Sequence, residues 1–358
     1  MYIYLFETLL YLCFAFSAGY VLLKFIPTDS KPVVHIPFRL FQYAVLGIPL
    51  FSFASIVRTT IILLDFAPGM TFLEVLLIVL SDYSYGNAWI LNLMFGTGLL
   101  MYTSFQSLEV RSTKWVAAGI WCCMILAHGW ASHPTGFSKI GGLLSQSIHV
   151  GAVSIWLGTL IIVAWFTKGD WNWGRFVRWY TPLSISCMVL LVLAGLFMMS
   201  LIVDDYINSW GINYGEALLL KHLVFVPLVL LAFMNGFLTN LYSDGHNGRG
   251  LQTWLRLETI LALIVLIITA FMGVQEPPHE DESENPTPSI LFKLFHTDIQ
   301  DLSLQWNWNL LSIACILMGA ASLGLLFVSY KKNNQGVFIM LSCIGVIFPF
   351  LGLLLSVN

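Results

Sequence analysis

Imidazole side chains can ligate borderline metals, hold a haem iron or carry protons near neutral pH. Three of the chain's eight histidines, His128, His133 and His149, fall within HGWASHPTGFSKIGGLLSQSIHVGAVSIW. That stretch is otherwise Gly, Ala, Ser and aliphatic residues with a single charge. A fourth histidine, His222, lies in YGEALLLKHLVFVPL. Thioethers come from Met198, Met199 and Met272, and carboxylates from Asp204 and Asp205. Imidazole combined with thioether favours copper over Mg, Ca or Mn. Two histidines at one depth on facing helices also meet the requirement for axial ligation of a b-type haem. The alternatives are plainer: methionine is common packing in apolar helices, Asp204 and Asp205 read as a solvated cap, and an isolated membrane histidine adds packing specificity by hydrogen bonding a neighbouring helix.

The elements that must position these groups are apolar. The 358 residues are 58% hydrophobic and 10% charged, against about 25% charged in a soluble domain. Apolar runs at roughly 2–25, 39–65, 85–106, 115–131, 141–166, 177–203, 215–241, 252–274, 307–330 and 336–357 are each about long enough for a hydrocarbon core of about 30 Å. The predicted class is an all-α, polytopic transmembrane helical bundle of about ten spans in a lipid bilayer; the short alternating segments of a β-barrel are absent. GMTFLEVLLIVLSDYS (69–84) reads as an interfacial or re-entrant segment. The first run has no basic n-region or small-residue cleavage site and reads as a retained helix. The six cysteines sit inside apolar runs without a CxxC pair and read as packing residues. A net charge of −3 leaves no nucleic-acid footprint, and no Walker A nucleotide-binding signature is present.

Lys and Arg set the orientation. Twelve of the sixteen fall at Lys24, Lys31 and Arg39, at Arg111 and Lys114, at Lys168, Arg175 and Arg178, at Arg249 and Arg256, and at Lys331 and Lys332. These are loops of one parity, assigned to the cytoplasm of a multi-pass plasma-membrane protein with both termini outside. The opposite loops are acidic, at Asp65, Asp204, Asp205 and QEPPHEDESENP. His35 and His246 then lie inside. His128, His133, His279 and His296 lie at the outer ends, and His149 and His222 sit about 10–12 Å below the outer surface at 1.5 Å per residue. Within the spans, Arg58 and Lys221 break the inside rule. Asp65, Glu74 or Asp82 would pair with Arg58, and Glu216 with Lys221.

YGNAWIL (Tyr85 to Leu91) resembles YGEALLL (Tyr214 to Leu220), and both open a span from outside after a short acidic segment. The echo suggests two parallel four-helix repeats plus a C-terminal helix pair. The corresponding organisation is 1–131, a first four-helix unit; 132–274, a second carrying the histidine site; and 275–358, an acidic outer loop with two helices.

SQSIHVGAVSIWLGTL resembles the H-x6-W-x-G-G-L signature of the copper resistance protein D (CopD) family, with Thr159 at the usual second glycine. GWASHPTG matches its outer histidine segment at His133. YGEALLLKHLVFVPLVLLAFMNGF resembles its Y-G-x-x-L-L-x-K-L helix, with His222 where the family more often has leucine, and RFVRWYTPLSISCMVLLVLAGLF fits the helix between. The resemblance covers roughly 128–274. It implies a plasma-membrane protein moving copper inward, with His133 and His149 as matched histidines and Trp156, Gly158, Tyr214, Gly215 and Lys221 as matched structural positions. A soluble copper-binding β-domain, where the family uses one, would be a separate extracytoplasmic partner.

The sequence therefore points to a copper-binding permease, not an enzyme, with His133, His149, His222, His128, Met199 and Met198 as candidate ligands. The alternatives are a haem-dependent membrane reductase with His149 and His222 as axial ligands, and an assembly factor delivering copper to an extracytoplasmic oxidase.

Overall fold

The structure, a computed structural model, describes residues 3–169, 173–238, 248–278, 288–296 and 304–357. His246, His279 and most of the acidic run after Val274 lie outside those residues. Among the described residues there are α-helices and no strands, apart from isolated bridges. The long helices are α1 (Ile3–Phe25), α2 (Phe38–Leu64), α4 (Ser84–Phe105), α5 (Arg111–Trp130), α7 (Lys139–Phe166), α8 (Trp173–Ile202), α9 (Asn213–Phe237), α10 (Gly248–Met272), α12 (Leu310–Lys331) and α13 (Gln335–Leu354). Short α3 (Phe72–Asp82), α6 (His133–Phe137) and α11 (Ile290–Phe295) lie between them. The long helices coincide with the ten predicted spans. Nine are long and apolar enough to cross a membrane; α5, which opens on Arg111 and Lys114, falls short in hydropathy. Exposed Leu190, Leu193 and Leu196 on α8 suit a bilayer.

α3 has 11 residues, too few to span, and starts with a capping box between Thr71 and Glu74. Glu74 is thereby engaged, and Asp82 accepts from Ser81 at 2.8 Å. The charge of Arg58 bears on Glu7 of α1. Glu7 in turn accepts a 2.7 Å bond from Ser55.

The chain forms two compact units, Met1–Leu201 and Ile202–Asn358. The division falls within the stretch that the sequence reading treats as one four-helix unit, so His149 belongs to the first unit and His222 to the second. In the first, α1 packs on α2, α5 and α7. Its core joins Leu10, Phe14 and Ala18 to Ile48, Trp121, Met124, Ile125 and Val150. α1 and α7 cross backbone to backbone: a Cβ added at Gly158 would meet the Ala15 carbonyl, and one at Gly19 would meet Gly158. Small residues at such crossings are how membrane helices gain contact without a hydrophobic driving force. In the second unit α9 packs on α10, α12 and α13. Trp210, Leu219, Phe292, Phe350, Leu354 and Val357 form its core.

Loops of equal parity meet. Lys24 pairs with Glu109, Trp179 Nε1 donates to the Ser30 carbonyl at 2.7 Å, and the His35 amide donates to the Phe166 carbonyl at 3.3 Å. These contacts join loops that the basic residues assign to one side. The repeated Tyr-Gly pair also has a common geometry. Gly86 and Gly215 are each the third residue of a helix, and a Cβ at either would meet a carbonyl of the preceding short segment, Val79 or Ser209.

Candidate metal centre

His149 lies ten residues into α7, about 15 Å along its axis. Its Nδ1 is 3.0 Å from the Leu191 carbonyl of α8. A carbonyl can only accept, so Nδ1 carries the hydrogen and, in the neutral ring, Nε2 carries the lone pair. This is the arrangement common behind metal-bound imidazoles, where the second nitrogen donates to a carbonyl and fixes tautomer and ring orientation. Gly195 allows it: a Cβ there would stand 3.3 Å from Cε1 and 3.5 Å from Nδ1 of the ring. Met198 and Met199, both half-buried, follow one turn beyond Gly195. Trp156, 2% exposed, lines the same helix, and its carbonyl accepts from the Tyr180 hydroxyl at 3.0 Å.

The other histidines have different surroundings. His128 is set against α1, its ring 5.4 Å from Phe14 and 5.8 Å from Tyr11, with a buried Nε2 that makes no hydrogen bond. His133 opens α6, exposed, and meets Tyr85 edge-on at 6.5 Å. In the second unit, Nδ1 of His222 is 2.8 Å from the Tyr206 hydroxyl. Burial holds that hydroxyl up at about 12, so it is protonated near neutral pH and can either donate or accept. His222 can therefore present Nε2 as either donor or ligand. Glu216 does not pair with Lys221; it accepts from Ser289, which also caps α11. Asp205 accepts from the amides of Ile207 and Asn208 at 3.0 and 3.2 Å, the turn-capping role of an aspartate. Among the described residues no three of His, Cys, Asp or Glu cluster as a closed metal cage.

Residues 174–272 match the family model of copper resistance protein D. That match covers under a third of the chain. It takes in α8, α9 and α10, with Met198, Met199, His222, Tyr214, Gly215 and Lys221, while His128, His133, His149, Trp156 and Gly158 lie before it. A copper transport protein, CutJ, of Bacillus subtilis (strain 168) is 23% identical over 47% of this chain. The match spans about one third of that relative's length (33%). No solved structure matches. The matched stretch includes the α8 carbonyl and glycine that face His149, Leu191 and Gly195.

Sequence reasoning missed Leu191, Gly195, Tyr206 and a buried carboxyl at Glu258. A backbone carbonyl has no side-chain signature, and Gly195 was legible only as a small residue. Glu258 did carry a signal, as an acid inside the predicted span 252–274.

Proposed function

We propose that this protein takes copper ions inward across the plasma membrane, with both termini outside. Outer histidines, His133 foremost, collect the ion. His149 receives it through Nε2, assisted by thioether sulfur from Met198 or Met199, and His222 with Tyr206 offers a second stage in the other unit. The observation that carries the reading is the His149 ring, held through Nδ1 by the Leu191 carbonyl of α8, a helix in the stretch that matches the copper resistance protein D model. With no nucleotide-binding motif, the driving force is a gradient or a cytoplasmic copper sink. A separate extracytoplasmic copper protein is the natural donor.

Purified protein in liposomes tests this. Copper should accumulate inside at a rate that falls at least tenfold in His149→Ala. Uptake equal to that of empty liposomes would sink the reading, and a dithionite-sensitive Soret band would replace it with a haem redox one.

A further inference from the structure

Copper capture leaves one buried acid of the second unit unused. Glu258 lies on α10, ten residues from Gly248, and is 2% exposed. Its Oε2 accepts a 2.7 Å hydrogen bond from Nδ2 of Asn235 on α9. The Oδ1 of Asn235 accepts in turn from the Tyr330 hydroxyl of α12 at 3.0 Å. Both of these side chains are buried as well. Three helices thus converge on one carboxyl through a directed chain of donors.

The surrounding charges are turned elsewhere. Arg256, two residues earlier on α10, points to another side of that helix. The Lys331 ammonium sits over the Phe327 ring, 4.4 Å from its centroid. Asn333 accepts from Trp254 Nε1 at 2.8 Å. α13 brings Phe338 against Trp254 and carries no charged residue. On α9, Glu216, Lys221 and His222 lie thirteen or more residues before Asn235, about 20 Å or more along the axis. Among the described residues no basic side chain pairs with Glu258. An acid inside a membrane span without a cation marks a proton or ion path.

We propose that Glu258 binds and releases a proton in step with copper movement, the coupling half of this resting on the permease reading above. The exchange is a single protonation. The carboxylate gains one proton on Oε1, while Oε2 keeps its bond from Asn235 in both states. Asn235, fixed by Tyr330, positions the acid. α9 links the two sites, since it carries His222 toward one end and Asn235 toward the other, with Pro227 between them. That proline removes one backbone hydrogen bond and gives the helix a point at which to bend.

The test uses the intact protein in two measurements. The first is an infrared pH titration of the protonated-carboxyl band. Wild type should show a titrating band that Glu258→Gln lacks, and Tyr330→Phe should move its midpoint to higher pH, because Asn235 then donates less effectively to the carboxylate. The second is copper uptake into liposomes holding a pH-sensitive dye. Wild type should move protons with copper, whereas Glu258→Gln should lose the proton signal per copper moved. A titrating band unchanged in Glu258→Gln, or an unchanged proton-to-copper ratio, overturns the proposal. Absence of copper flux in every sample would sink the permease reading alone, because the infrared titration still decides whether Glu258 exchanges a proton.

Discussion

At His149 the chemistry turns on which nitrogen is committed. Leu191 takes the Nδ1 hydrogen, and Gly195 clears the space for the ring to reach it. Gly195→Ala should push the ring by a few tenths of an ångström and lower copper affinity by about 10–100-fold, the usual effect of disturbing a ligand's outer partner. Unchanged affinity, read by competition with a chelator of known strength, would show that this contact does not orient a ligand. Tyr206→Phe should weaken any copper held by His222 and leave the His149 site intact; the two effects separate in a titration of the double and single variants. The histidines were legible because an imidazole inside an apolar run is conspicuous. Their partners were not, because a carbonyl or a hydroxyl on another helix leaves no trace in the periodicity of the histidine's own helix.

The helices themselves were the most legible feature, since length and hydropathy alone fix a membrane span. What the pattern could not show was which helices touch. WLG in α7 announced a close approach, and the structure supplies α1 as the neighbour, through Ala15 and Gly19. Gly158→Ala places a Cβ against a backbone carbonyl that has no rotamer by which to escape. The expected loss is about 1–3 kcal/mol, as for overpacking in a tight core, measured as lowered resistance to unfolding in mixed detergent. A neutral result would mean that the crossing is looser than described. Contacts between helices were hidden for a related reason: Glu216, near Lys221 in sequence, is engaged by Ser289, and the acid on which Arg58 bears, Glu7, is on a helix distant in sequence.

At the scale of the whole molecule, the distribution of Lys and Arg assigns His35, an exposed residue, to the cytoplasmic side, where it should be irrelevant to capture. His35→Ala is expected to leave copper uptake within twofold of wild type; a large defect would invert the proposed orientation. The Lys24–Glu109 pair ties two of the basic loops. The ammonium holds the Glu109 carboxyl below its usual range, so the pair's contribution is present above the ordinary carboxyl value of about 4.3 and fades as pH falls through the lowered one. Because Glu109 is 68% exposed, screening keeps that contribution within about 0–1 kcal/mol. Glu109→Gln should therefore barely alter stability at pH 7, and should remove this pair's small loss on acidification, measured by thermal unfolding across pH.

Copper capture, as proposed, depends most directly on Nε2 of His149 as a ligand. Copper titration of the purified intact protein, followed by metal analysis, should find a tightest site in wild type that disappears in His149→Ala while the other sites remain. Equal stoichiometry and equal affinity in the two proteins would contradict it.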